Sequence, residues 1–182
     1  MKDHLILEGV KLILQGLEVD PNDQNYIKTP WRVLETYKEL FNHVTPFPPT
    51  FKDAYTEMLV ARHHKAWGMC PHHLLPVHLD VSIGYIPAGS VVGLSKLARI
   101  ANHALGKPIL QEAVTQDIVD SLMTKIKPTP KGAACVIEGQ HLCMQMRGVK
   151  TPGNVVTSAM QGLFLTDPAT RSEFLSLVRN PG

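Results

Sequence analysis

The sequence predicts an α+β protein, an antiparallel sheet with helices on one face. Three observations lead there. The N-terminal apolar residues recur at helical spacing. The stretch VHLDVSIGYIP alternates with period two. The two periodicities come in blocks rather than in regular βαβ alternation.

Taken in order, Ile6, Val10, Ile13, Leu14 and Leu17 mark a first helix with one buried face. DPNDQNYIKTP is polar and ends in a Thr-Pro start signal for a second helix over 31–41. The prolines of TPFPPTF, 45–51, make an extended connector, and a short helix is expected near 53–61. From Pro76 onward, Val77, Leu79, Val81, Ile83 and Tyr85 line one side of a strand, with His78, Asp80, Ser82 and Gly84 on the other. PAGS then turns the chain. SKLARIANHAL and PILQEAVTQDIVDSLMTKI read as two helices parted by GKP. Gly106 suits a C-cap there and Pro108 a first helical turn. GAACVIEG and HLCMQMRGV read as strands, and NVVTSAMQGLF as a further strand or sheet edge. DPATRSEFLSLV is a last helix, with Asp167 as N-cap and Pro168 just inside. A helical segment over 1–50 thus precedes a main domain over 51–182.

The chain has 182 residues, enough for one sizeable core. Its 44% apolar and 19% charged content is ordinary for a globular protein. A net charge of +2 gives no basic surface for nucleic acid. No apolar run reaches the roughly 18 residues that span a bilayer, and the N-terminus does not read as a signal peptide. Three cysteines is an odd count, which favours a reducing cytoplasm with cysteine used for metal or chemistry.

CPHHLL at 70–75 and HLC at 141–143 hold five good donors, Cys70, His72, His73, His141 and Cys143. Zinc accepts thiolate and imidazole, and a catalytic zinc uses three protein ligands plus water. Cys70 and His73 are three apart, so one turn aims both at one ion. His141 and Cys143, two apart on a strand, would face the same side. Against this, a lone Cys-x-x-His recurs by chance, and cysteine is often just a small buried residue. Cys135, in AACVI, is read as core. The adjacent His63 and His64 are read as solvated, and Met144 and Met146 as core filling. Ser95 and Lys96 fall at an expected helix N-terminus with Arg99 one turn on, and Arg147 follows the second cluster. Such a place attracts anions, though a solvated basic helix start is the plainer reading.

CPHHLLPVHLDVSIGYIP, VVGLSKLARI, LQEAVTQDI, IEGQHLCMQMRGV and VTSAM together resemble the GTP cyclohydrolase I family, and TPWRVLETYKELF is similar to the start of its domain. The resemblance covers about residues 5 to 180. It implies a tunnelling fold, with two helices between pairs of strands, after N-terminal helices. It also implies subunits that join their sheets into a barrel, usually a homodecamer of two pentamers with active sites at subunit interfaces. The implied reaction turns GTP and water into formate and 7,8-dihydroneopterin triphosphate, the first step toward folates and other pterins, in the cytoplasm. By the same resemblance Cys70, His73 and Cys143 are zinc ligands, and His72 and His141 are catalytic. Ser95, Lys96, Arg99 and Arg147 hold the triphosphate, and Gln111 and Glu112 bind guanine.

The sequence departs from the family at Pro71, where Glu is usual, and at Ala113, where Arg is common. LGKP also replaces a usual arginine pair. A divergent homologue that binds zinc and nucleotide but stops at ring opening, or mainly binds, is the competing reading. Pro71 and Ala113 favour it, whereas the intact His72 and His141 oppose it. A deazaguanine nitrile reductase would need a cysteine nucleophile, an acid and NADPH rather than a zinc trio. A structural zinc module on nucleic acid is opposed by the balanced charge.

Overall fold

In the computed structural model, residues 1–20, 22–41 and 50–179 are described below. The chain divides into two compact units, Met1–His43 and Val44–Gly182.

The first unit pairs helix α1, Asp3–Gly16, with α2, Thr29–Phe41. Val10 and Leu14 are one turn apart and buried, as is Leu34 of α2. Ile13 and Leu17, expected on the same buried face, are 62% and 69% exposed. Lys38 bridges Asp3 at 2.9 Å and Glu35 at 3.2 Å, tying the start of α1 to the last turns of α2. Pro30 stands near the start of α2, where a missing N–H costs nothing.

In the second unit β1 (Thr50–Lys52) pairs antiparallel with β4 (Ser90–Val92). A separate four-stranded antiparallel sheet has the order β2 (Leu59–Met69), β3 (Pro76–Ile86), β5 (Gly132–His141), β6 (Asn154–Gly162). Helices α3 (Leu94–Ala104) and α4 (Gln111–Lys125) lie in sequence between the strand pairs. Most of the connector at 45–51 is outside the described residues; its end enters β1. The expected helix near 53–61 does not form. Asp53 Oδ1 accepts the Tyr55 N–H at 2.8 Å in a tight turn, and residues from Leu59 are claimed by β3, in the register Leu59 to Tyr85. Here tertiary pairing overrides a weak local preference. One extra residue bulges β2 between Ala61 and His64, with His63 at φ 59°.

The core follows the period-two prediction on one side of β3. Val77, Leu79, Val81, Ile83 and Tyr85 pack under Leu97, Ile100 and Ala101 of α3 and Val114, Ile118, Val119 and Leu122 of α4. Tyr85 is fully buried, and its hydroxyl accepts the Val92 N–H at 3.0 Å. Pro108 does not start α4. The Ile109 N–H donates to Met69 O at 3.3 Å, which holds this segment against the end of β2, and the helix begins three residues after the proline, at Gln111.

The expectation of helices on one face only is corrected. Short α6 (Leu163–Thr166) and α7 (Pro168–Arg179) bring Phe164 and Phe174 onto the opposite face, with Ile86 and Ala134. The two rings meet edge to face, 5.4 Å apart at 84°. Gly84 makes room, since a Cβ there would stand 2.8 Å from the Phe174 ring. Ser82 is buried too, so the second half of β3 is covered on both faces. The cap of α7 is as expected, with Asp167 accepting the Ala169 and Thr170 N–H groups at 3.2 and 3.1 Å. The Thr170 hydroxyl, which donates to Asp167 Oδ2 at 2.5 Å, and those two N–H bonds hold the Asp167 carboxyl below its ordinary value. No helix among the described residues is long and apolar enough to cross a membrane.

Candidate metal centre and active site

CPHHLL is the loop that joins β2 to β3. It closes on two backbone bonds, Cys70 N–H to Leu75 O at 2.9 Å and Leu74 N–H to Cys70 O at 3.0 Å, with Leu74 at φ 52°. Neither bond needs an N–H at position 71, so Pro71 removes no donor from the loop. The loop folds Cys70 inward, 5% exposed, and leaves His72 and His73 facing solvent. His73 Nδ1 lies 3.6 Å from Cys70 Sγ, and His72 Nδ1 lies 4.0 Å from it.

The second cluster arrives differently from the expectation. HLCMQMRGV is not a strand. β5 ends at His141, and Leu142–Gln145 form one helical turn, α5, closed by Met146 N–H to Leu142 O at 3.0 Å. Cys143 therefore reaches the centre from a helical turn rather than from alternate strand positions. Met146 is exposed rather than core.

Ligand atoms of Cys70, His73 and Cys143 lie within 4.8 Å of one another. Tetrahedral zinc with sulfur at about 2.3 Å and nitrogen at about 2.0–2.1 Å needs sulfur and nitrogen about 3.6 Å apart. The Cys70–His73 spacing of 3.6 Å meets that. Burial pushes the Cys143 thiol up, and the facing Cys70 adds to the shift. A divalent cation beside the Cys143 thiol would offset that penalty and favour the thiolate. The donor set thus fits a soft-to-borderline metal ion.

His141 ends β5 beside this group, half-buried, with Nε2 2.9 Å from Gln111 Oε1. Burial lowers its pKa, which Glu112 partly offsets by its charge, so the neutral imidazole is favoured near pH 7. Glu112 is exposed in the first turn of α4, where the helix dipole favours a carboxylate. Arg147 Nη1 hydrogen-bonds His73 Nε2, so this arginine stands against the centre itself. Gln111, expected at the guanine base, is only 5% exposed, and its amide is engaged inside the protein. Ser95, Lys96 and Arg99 stand on the first two turns of α3, a different element from the CPHHLL loop and from β5. That helix start has no side-chain cap.

Other expectations resolve elsewhere. Cys135 is core, wholly buried, and burial pushes its thiol far up. His63 and His64 are not simply solvated: His63 meets Asp80 at 3.1 Å and His64 meets Asn102 at 3.1 Å. A concavity of about 840 Å³ lies on the other side of the sheet, among His63, Asp80, Glu138, Arg171 and Arg179. It holds none of the predicted site residues. Sequence reasoning missed Thr115 and Thr157, which hydrogen-bond Gln111, and Gly139, which leaves room for its amide. The one available signal was a glycine two residues before His141 on the same strand.

The family model for GTP cyclohydrolase I matches residues 6–179. The chain is 40% identical over 180 residues to GTP cyclohydrolase 1 of Desulforamulus reducens, covering 95% of each chain. It is 42% identical over 178 residues to that of Aquifex aeolicus, covering 96% of this chain and 95% of the relative. A solved structure, the archaeosine synthase QueF-Like in the apo form, aligns with TM-score 0.42 and 18% identity. It covers 59% of this chain and 96% of that one. So slight a likeness bears on neither fold nor function.

Proposed function

Because the chain belongs to the GTP cyclohydrolase I family, we propose that it converts GTP and water into formate and 7,8-dihydroneopterin triphosphate. The observation that carries the reading is the Cys70–His73–Cys143 group with His72 and His141 at its margin. Bound by those three donors, zinc would supply the Lewis acidity that makes water a nucleophile near neutral pH.

The rest falls to the chain's own residues. Water adds to carbon 8 of the purine, the imidazole ring opens and formate leaves. Each nitrogen released needs a proton, and each added water must lose one. Two imidazoles beside the reacting carbon can do both near neutral pH, and His72 and His141 take that role. Glu112 accepts hydrogen bonds from the guanine N1–H and amino group. Adenine has an acceptor at N1 and no amino group at C2, so one carboxylate excludes it. Ser95, Lys96, Arg99 and Arg147 hold the triphosphate, the first three at the uncapped start of α3. Their separate element is one reason to propose that a second copy completes the site, within a decamer of two pentamers built on joined tunnelling-fold sheets. The edge strands β2 and β6 are available for such joining. We place the enzyme in the cytoplasm, at the entry to folate or pterin synthesis.

Zinc-loaded protein incubated with GTP, then oxidised and dephosphorylated, should yield fluorescent neopterin and one formate per GTP. Formylated, ring-opened nucleotide without neopterin would instead establish the early-stopping homologue.

A further inference from the structure

Resting on that reading of the reaction, we propose that Gln111 is a positioning residue for His141, fixing the tautomer and orientation of its ring, and does not contact guanine. The direction of every hydrogen bond around the amide can be worked out. Gln111 Nε2 lies 3.1 Å from Ile137 O, 3.0 Å from Val155 O and 3.1 Å from Thr157 Oγ1. The two carbonyls only accept, so the atom facing them is the NH₂ group and not the oxygen. A flipped amide would set its oxygen against both carbonyls and lose the bonds to them.

The hydroxyls run in one direction as well. Thr115 Oγ1 donates to Gln111 O at 2.7 Å, spending its only hydrogen. It therefore accepts from Thr157 Oγ1, 2.6 Å away. The strands β5 and β6 thus grip the amide from one end, and its Oε1 points at His141 Nε2, 2.9 Å off. An amide oxygen can only accept, so Nε2 carries the hydrogen. The neutral ring then keeps its lone pair on Nδ1, the atom left to take a proton.

Gly139 is independent support. A Cβ on that residue would stand 2.1 Å from Gln111 Oε1, so β5 is stripped of a side chain where the amide oxygen passes. At 5% exposure, with both N–H groups and the oxygen spent, Gln111 has nothing left to offer a base.

The test compares Gln111→Ala with Gly139→Ala, which keeps the amide but displaces its oxygen. Both should lower kcat about 10- to 100-fold, the usual size for losing an imidazole's orienting partner. The KM for GTP should stay within about two-fold of wild type, and zinc content should be unchanged. A raised KM with kcat preserved would overturn the proposal in favour of guanine contact. If either variant fails to fold, wild type decides by itself. With histidine nitrogens labelled, and His141 identified by its loss in His141→Ala, the ¹⁵N shifts at neutral pH should report hydrogen on Nε2. Hydrogen on Nδ1 would overturn the inference. A wild type that forms no neopterin would refute the proposed reaction and leave the tautomer result standing.

Discussion

Gly84→Ala isolates the packing of the second sheet face. The new methyl carbon would lie 2.8 Å from Cδ2 and Cε2 of Phe174 and 3.6 Å from Phe164. Ordinary contact begins near 3.5 Å. Phe174 must therefore retreat by roughly 0.7 Å, and it is fully buried with its edge against Phe164. Overpacking of this kind costs about 1–3 kcal/mol. In a chain of this length that lowers Tm by about 2–4 °C per kcal/mol. Urea unfolding at fixed protein concentration is the assay, with Gly9→Ala on α1 as the contrast. Among the described residues no atom lies within 4 Å of a Cβ there, so that change should stabilise by roughly 0.5–1 kcal/mol through helix propensity. Phe174→Leu should relieve part of the Gly84→Ala penalty, giving a coupling of at least about 0.5 kcal/mol in a double-mutant cycle. Gly84 lies near the far end of β3, eight residues and about 27 Å from the start that abuts CPHHLL. Turnover per folded molecule should therefore be unchanged. A neutral Gly84→Ala, or strict additivity with Phe174→Leu, would refute the packing account. A large loss of kcat in fully folded protein would refute the separation of this face from the chemistry.

Cys143→Ser should remove tight zinc binding while Cys135→Ser keeps it; metal analysis after dialysis against a chelator decides, and full retention by Cys143→Ser would strike that residue from the centre. Lys96→Ala should raise the KM for GTP with less effect on kcat, and guanosine should be a far poorer substrate than GTP; equal turnover of the two would sink the phosphate assignment. At Asp80, burial works to raise the pKa, but Lys65 and His63 outweigh it and hold the carboxyl below its ordinary value. Its contribution is present above the unfolded value of about 3.9 and is lost as pH falls through the depressed folded value. The stability gap between wild type and Asp80→Asn, about 0.2–1 kcal/mol for so open a pair, should be full at neutral pH and close below about pH 4. A gap that persisted unchanged below about pH 3 would refute the pairing.

By itself the sequence determined what depends on spacing along one element. Alternation from Val77 to Tyr85 marks a strand face, and Val114, Ile118 and Leu122 mark a helix face, because each periodicity is a property of local backbone geometry. Cys70 and His73 are legible as partners because three residues span one turn, and Asp167 before Pro168 is legible as a cap because capping is local. Tertiary structure decided the rest. Only the Phe164–Phe174 pair shows why Gly84 is buried rather than solvated. Only the chain's turn into α5 brings Cys143 to Cys70, seventy-three positions away in sequence. Gln111 is the clearest case. Read along the chain it is a polar residue at a helix start, free to meet a ligand. In the fold its amide spans α4, β5 and β6, since a buried polar group must find partners and these are scattered over forty-six residues of sequence.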